Sequence, residues 1–134
     1  MKLIATLTLP LFVHTTKSKT KKGKAIFNLN NYRNWFSMKS NAAKHAMFDC
    51  IKKMKIPPLG VGPYRLEYTY YHGNQRKLDV SNPTSIIDKF TCDALTTLGF
   101  WPDDNIDYVT EVEYKWGGVD PNKVGYCILE IYEI

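Results

Sequence analysis

The chain has 134 residues, of which 44% are hydrophobic and 23% are charged, as is typical of one globular domain with a single core. No apolar run approaches the roughly twenty residues of a membrane span, and the opening stretch, interrupted by Thr6, Thr8 and Pro10, predicts a strand instead of a signal peptide. The three cysteines lack the spacing of a zinc site or a disulfide framework, which favours a reducing compartment.

The formal net charge of +5 is divided unevenly along the chain. Residues 1–55 contain twelve Lys or Arg and one acidic residue, whereas residues 56–134 contain six Lys or Arg and twelve acidic residues. A basic region and an acidic cluster in one small domain suit a nuclease, in which lysines hold phosphates and carboxylates hold cations. The alternative is a charged surface that only keeps the protein in solution.

The first part of the chain predicts a strand followed by a basic segment. Residues 2–10 form the strand, which ends at a proline, and residues 14–30 predict a basic loop or hairpin. Phe27 and Tyr32 are interleaved with the lysines, and such a segment can hold a nucleic-acid backbone and stack on bases. The alternative for Phe27 is packing in the core. The predicted DNA-binding residues of this region are Lys17, Lys19, Lys21, Lys22, Lys24 and Arg33.

Residues 35–54 predict the longest helix, because a wide apolar stripe recurs along them at helical spacing. The alternating, aromatic-rich residues 64–72 predict a strand. Arg76 and Lys77 follow the next turn and complete the set of residues that we assign to DNA binding.

The end of the chain predicts two more strands, residues 108–116 and 124–134, joined as a terminal hairpin. The order of elements is strand, basic segment, helix, strand, helix, strand, strand. This order predicts one α+β domain over residues 1–134, with two main helices packed on a mixed β-sheet.

The acidic residues concentrate between Lys77 and Asp107, around a second predicted helix. Residues 83–98 have apolar side chains at helical spacing, with Asn82 as the N-cap and Gly99 as the C-terminal stop. Asp79 precedes this helix, Asp88 and Lys89 lie on its polar half, and the pair Asp103 and Asp104 follows it. If the flanking segments fold over the polar half, these carboxylates form an oxygen-rich site suited to Mg²⁺ or Mn²⁺. The alternative is a set of helix caps and turn aspartates.

Three short motifs around this helix resemble those of the RusA family of Holliday-junction resolvases, found largely in bacteriophages and prophages. Asp79-Val80-Ser81-Asn82 resembles the family's D-x-D-N segment, and Lys89 precedes Asp93-Ala94-Leu95 as a lysine precedes D-A-L in the family. Gly99-Phe100-Trp101-Pro102-Asp103-Asp104 resembles the G-[FW]-x-x-D-D segment. A weaker similarity extends over nearly the whole chain.

The resemblance implies a RusA-like fold and a homodimeric, Mg²⁺-dependent endonuclease that nicks four-way DNA junctions in the cytoplasm of a bacterial host. It implies no membrane partner and no small-molecule cofactor. It assigns catalytic roles to Asp79, Lys89 and Asp104. The sequence departs from the family at Ser81, where the motif has its second aspartate.

Asp88 is the residue that we expect to supply the carboxylate missing at Ser81. The predicted catalytic set is therefore Asp79, Asp88, Lys89 and Asp104, and the predicted metal ligands are Asp79, Asp88, Asp103 and Asp104. One or two cations held there would activate water for phosphodiester hydrolysis, and Lys89 would neutralise charge that develops in the transition state. Asp93 and Asp107 are predicted to have structural or surface roles.

Two other functions stay open at this point. The first is a catalytically inactive relative that only binds branched DNA, which the serine at position 81 favours. The second is a basic, non-enzymatic phage protein that uses its lysines to bind RNA or DNA. A protein that only binds nucleic acid gains nothing from carboxylates near phosphates, so the acidic cluster argues against the second.

Overall fold

The computed structural model describes residues 1–16 and 22–134, which form six strands and three helices. The α+β class with a mixed sheet, predicted from the sequence, is confirmed. In chain order the elements are β1 Lys2–Leu9, β2 Phe12–Thr16, β3 Lys22–Ile26, α1 Leu29–Arg33, α2 Ser37–Lys52, β4 Tyr64–His72, α3 Ser81–Thr97, β5 Val109–Val119 and β6 Tyr126–Glu133. Among the described residues, no helix is both long and apolar enough to cross a lipid bilayer.

Four strands form the main sheet in the order β1-β6-β4-β5, and β2 pairs with β3 in a separate antiparallel hairpin. β4 and β5 run parallel, whereas β6 is antiparallel to both β1 and β4. The predicted terminal hairpin of the last two strands is wrong. β6 lies between β1 and β4, and α3 carries the chain across the sheet so that β5 reaches the other side of β4.

The two faces of the main sheet differ in character. On one face, Leu66, Tyr68 and Tyr70 of β4 are buried beneath the helices. On the other face, which we call the open face, Arg65 bonds to Glu111 at 3.0 Å and also pairs with Glu113. A further open-face ion pair joins Glu67 of β4 to Lys115 of β5.

α3 is the central helix of the core, with nine buried residues out of 17. The helix begins at Ser81, so Asn82 lies in its first turn instead of at the predicted N-cap. The predicted stop at Gly99 is confirmed, because this glycine has a φ of 80° and the amide of Phe100 bonds back to Leu95 at 3.0 Å. The predicted polar half is partly covered: Cys92 on it is only 5% exposed, whereas Lys89 is exposed.

The hairpin and the first two helices pack around α3. Phe27 is 1% exposed and its ring centroid lies 5.3 Å from that of Phe90, so it belongs to the core. Tyr32 meets the same ring edge-on at 6.0 Å. The aromatic residues that we expected beside the lysines as stacking surfaces are therefore committed to packing. On α2, Met47 is buried, whereas Met38 from the predicted apolar stripe is 75% exposed.

Candidate nucleic-acid interface

A cleft of about 550 Å³ lies where β4 ends and α3 begins, and the β2–β3 hairpin forms its far wall. In a strand–helix–strand unit with parallel strands, this edge of the sheet is where ligands usually bind. Four cationic side chains and no Asp or Glu are found among the described residues that line the cleft. The cations are Lys24, Arg76, Lys77 and Lys123, and His72 with four asparagines, Asn28, Asn30, Asn74 and Asn82, adds hydrogen-bonding groups.

The turn after β4 positions Arg76 and Lys77. The side-chain oxygen of Asn74 accepts a hydrogen bond from the Arg76 amide at 2.8 Å, which fixes the first bend. Gly73 lies so close to the carbonyl oxygen of Val124 that a Cβ atom on it would approach that oxygen to 3.0 Å. This contact brings the turn that contains Lys123 to the edge of the cleft.

Asp120 holds that second turn together. Its carboxylate is 4% exposed and accepts hydrogen bonds at 2.9 Å from the amides of Asn122 and Gly125. These backbone hydrogen bonds lower the pKa of Asp120. The carboxylate therefore orders the turn that presents Lys123.

Asn82 fixes the opposite wall of the cleft. Its side-chain oxygen accepts a hydrogen bond at 3.0 Å from the amide of Leu29, the first residue of α1. This bond ties the start of α3 to the segment that follows the hairpin. Asn82, predicted as the N-cap of this helix, therefore bonds to α1 instead, a contact that the sequence did not indicate.

His72 and Tyr70 form the floor of the cleft near the end of β4. The Tyr70 hydroxyl and His72 Nδ1 lie 2.9 Å apart. Burial and the nearby Arg76 lower the pKa of His72, and burial, with a smaller effect of Cys127, raises the pKa of Tyr70 to about 12. At neutral pH both groups are uncharged, so the positive charge of the cleft comes from its lysines and arginine.

Asp88 lies outside the cleft and faces the sheet. Each of its carboxylate oxygens accepts a hydrogen bond of 2.7 Å from a tyrosine hydroxyl, one from Tyr68 on β4 and one from Tyr114 on β5. The Cys92 thiol also contacts Asp88, with Sγ 3.1 Å from the oxygen that accepts from Tyr68. Burial and the negative charge of Asp88 raise the pKa of both tyrosines, so both remain donors at neutral pH.

Lys89 lies in the middle of α3 and Asp93 one turn further along, and Asp103 and Asp104 follow the end of the helix. Lys89 Nζ lies 3.8 Å from the Asp93 carboxylate, and both side chains are partly exposed. Asp103 accepts hydrogen bonds from the Asp104 amide at 2.7 Å and from the Asn105 side chain at 3.0 Å, which lower its pKa. Burial and the charges of Asp103 and Asp93 raise the pKa of Asp104, so these carboxylates share one electrostatic environment.

Asp79 is exposed and lies two residues before α3. Among the described residues, no group of three or more His, Cys, Asp and Glu side chains is placed to hold one metal ion. The four predicted ligands are therefore not gathered at one point in this arrangement of the chain.

Comparison of the sequence with models of known protein families and with curated proteins found no match. The resemblance to the RusA family therefore rests on the motifs quoted above.

Of the residues assigned to DNA binding from the sequence, Lys24, Arg76 and Lys77 line the cleft. Arg33 is exposed in the last turn of α1 and is not among the described residues that line it. Lys22 is described only as the first residue of β3, and Lys17, Lys19 and Lys21 lie outside the described residues. Lys123 was not predicted from the sequence, because only the tertiary contact with Gly73 brings its turn to the cleft.

Proposed function

We propose that the protein is a metal-dependent endonuclease that acts on branched DNA and holds the phosphate backbone of that DNA in the basic cleft. The observation that carries the DNA-binding part is the cleft itself, with four cations and no carboxylate among its described lining residues. The cleavage part rests on the three motifs that resemble the RusA family and on the acidic residues within them.

The cleft suits a polyanion because its cations are exposed and come from three separate segments. Lys24 projects from the hairpin, Arg76 and Lys77 from the turn after β4, and Lys123 from the turn before β6. Charges spread in this way can contact successive phosphates along a strand, and each contact releases condensed counterions. The asparagines between them can donate hydrogen bonds to phosphate oxygens without adding charge.

The residues that we propose for the cleavage chemistry are Lys89 and the carboxylates of Asp79, Asp88 and Asp104. Lys89 is partly exposed and paired only loosely with Asp93 at 3.8 Å, so its ammonium group is free to approach a phosphate. The Mg²⁺ or Mn²⁺ requirement, with Asp79, Asp88, Asp103 and Asp104 as ligands, remains a proposal from the resemblance. Since these side chains are not gathered around one point, we assign no chemical step to a metal ion.

A protein that binds branched DNA without cutting it is the second candidate function. Ser81 occupies the position of an aspartate in the motif and is exposed in the first turn of α3. The Asp88 carboxylate expected to replace that aspartate accepts hydrogen bonds from two tyrosines. Both observations favour loss of cleavage with binding retained.

The homodimer implied by the resemblance is part of the first proposal. One chain of this size is expected to carry one set of cleavage residues, and the resolution of a four-way junction takes two nicks. A closed two-fold dimer would present two copies of the cleft in symmetrical positions.

A labelled synthetic four-way junction tests the proposal. We expect the purified protein to nick the junction in Mg²⁺ or Mn²⁺ and not in EDTA, and to bind it in Ca²⁺. Asp104→Asn should abolish nicking and keep binding, and Lys89→Ala should slow nicking with a modest loss of affinity. Asp107→Asn, an exposed aspartate three residues further on, is the matched control and should nick normally.

The possible results separate the two functions. Binding in Ca²⁺ without nicking in either metal would establish the second function and exclude the first. If the protein neither binds nor nicks the junction in preference to a blunt duplex, both functions would be excluded. Equal loss of nicking in the Asp104 and Asp107 variants would place the chemistry elsewhere.

A further inference from the structure

The three tryptophans of the chain have very different environments. Trp101 is 3% exposed and its ring centroid lies 5.4 Å from that of Tyr64. Trp35 is half-buried and packs edge-on against Tyr32 at 5.8 Å. Trp116, in contrast, is 50% exposed on β5. Trp116 is therefore the most exposed of the three tryptophans.

Trp116 lies on the helix-facing side of the sheet but beyond the cover of α3. Trp116 is paired in register with Tyr70. This pair lies two residues along the strands from the Tyr68–Tyr114 pair, whose hydroxyls both bond to Asp88 of α3. The ring centroid of Trp116 is 6.2 Å from that of Tyr70 and 6.4 Å from that of His72. Trp116 also lines a second cavity of about 450 Å³.

The second cavity adjoins the basic cleft, because Arg76, Lys77 and Leu78 line both. The cavity beside Trp116 is otherwise lined by Gln75 and Val119, with no acidic side chain among its described residues. An exposed aromatic ring next to cations that face a phosphate site is the combination found in proteins that bind single strands. The charge of the shared wall selects an anionic occupant, and the ring selects a flat one.

We propose that Trp116 stacks on an unpaired base of the DNA strand whose phosphates contact Arg76 and Lys77. The inference rests on the proposed function and specifies its substrate as branched DNA with an unpaired base near the branch. A base in a continuous duplex has both faces covered by its neighbours. Only an unpaired base can offer a face to the indole without the free-energy cost of unstacking a base pair.

Tryptophan fluorescence and affinity measurements with an oligothymidine single strand test this inference. The oligothymidine should quench the emission of the wild type and of Trp35→Phe, whereas Trp116→Phe should show no quenching. Trp116→Leu keeps an apolar side chain but has no aromatic face, and it should bind the oligothymidine about 5-fold or more weakly, as expected for the loss of one stacked base. Its affinity for a blunt duplex should equal that of the wild type.

The salt dependence of binding separates stacking from charge. Trp116→Leu should keep the wild-type slope of log affinity against log salt, whereas Arg76→Ala should reduce the slope by about 0.7, the loss expected for one phosphate contact to a single strand.

Wild-type affinity of Trp116→Leu for the oligothymidine, or persistent quenching in Trp116→Phe, would overturn the inference and leave the proposed function intact. An altered oligomeric state of Trp116→Leu with unchanged DNA affinity would identify the indole as a contact between copies and would also overturn the inference. A wild type that binds no DNA would exclude both the inference and the proposed function.

Discussion

Asp88 shows how a residue chosen from spacing can acquire a different environment in three dimensions. Helical periodicity placed it on a polar half with Lys89, and the loss of an aspartate at Ser81 made it a predicted metal ligand. The structure places tyrosine hydroxyls from two strands 2.7 Å from its two oxygens. A single sequence could not indicate these contacts, since Tyr68 and Tyr114 lie 20 and 26 residues away and become neighbours only through the parallel pairing of β4 and β5.

We expect Asp88→Asn to lower the free energy of unfolding by about 1–3 kcal/mol, because an amide cannot accept both tyrosine hydrogen bonds and a partner is left unsatisfied in a partly buried position. Chemical denaturation would measure the change. Tyr114→Phe, which removes one donor and leaves the carboxylate in place, should cost less than Asp88→Asn. Wild-type stability of Asp88→Asn together with a loss of nicking would instead support the role of metal ligand.

At the scale of elements, the sequence predicted where most strands and helices lie but not how the strands are ordered. The alternation in residues 64–72 and the apolar spacing before Gly99 located β4 and α3, because these signals are local. Alternation shows which side chains share a face of a strand, but it does not show which strands are neighbours. The last two strands therefore looked like a hairpin, although β6 pairs with β1 and β4.

The end of α3 at Gly99, which the sequence predicted correctly, can be tested by substitution. Gly99 has a φ of 80° and an added Cβ would meet no atom within 4 Å, so Gly99→Ala isolates the backbone cost of the left-handed conformation. We expect a loss of about 1 kcal/mol in the free energy of unfolding, measured in denaturant. Thr97→Ala, at an exposed position two residues earlier in the helix, should have little effect. Equal stability of Gly99→Ala and the wild type would show that the helix end rearranges at no cost.

At the scale of the whole molecule, folding separates the charges differently from the two halves of the sequence. Four of the five glutamates, Glu67, Glu111, Glu113 and Glu130, lie on the open face, where Arg65 and Lys115 pair with three of them. The cleft lies on the helix-facing side, and three of its four cations come from the half of the chain that is acidic overall. The uneven charge predicted a nucleic-acid partner, but only the fold shows which lysines and arginines lie together in one cleft.

The proposed DNA-binding surface can be tested by removing equal charge from two places. The cleft variant replaces Lys24, Arg76, Lys77 and Lys123 by alanine, and the control replaces the exposed lysines Lys44, Lys52, Lys53 and Lys55 on and after α2. Both variants lose four positive charges, so any effect of net charge is matched. We expect the slope of log affinity against log salt for duplex DNA to fall by about 3.6 in the cleft variant, since each of the four phosphate contacts contributes about 0.9.

The control variant should keep nearly the wild-type slope, because its lysines do not line the cleft and distant exposed charges are screened beyond about 10 Å at 0.1 M salt. Both variants keep the predicted DNA-binding lysines between Lys17 and Lys22, so a residual slope in the cleft variant would measure what that segment adds. A larger fall in the control than in the cleft variant would move the DNA-binding surface to α2. Equal falls in both would mean that DNA responds to the net charge of the molecule and not to the cleft.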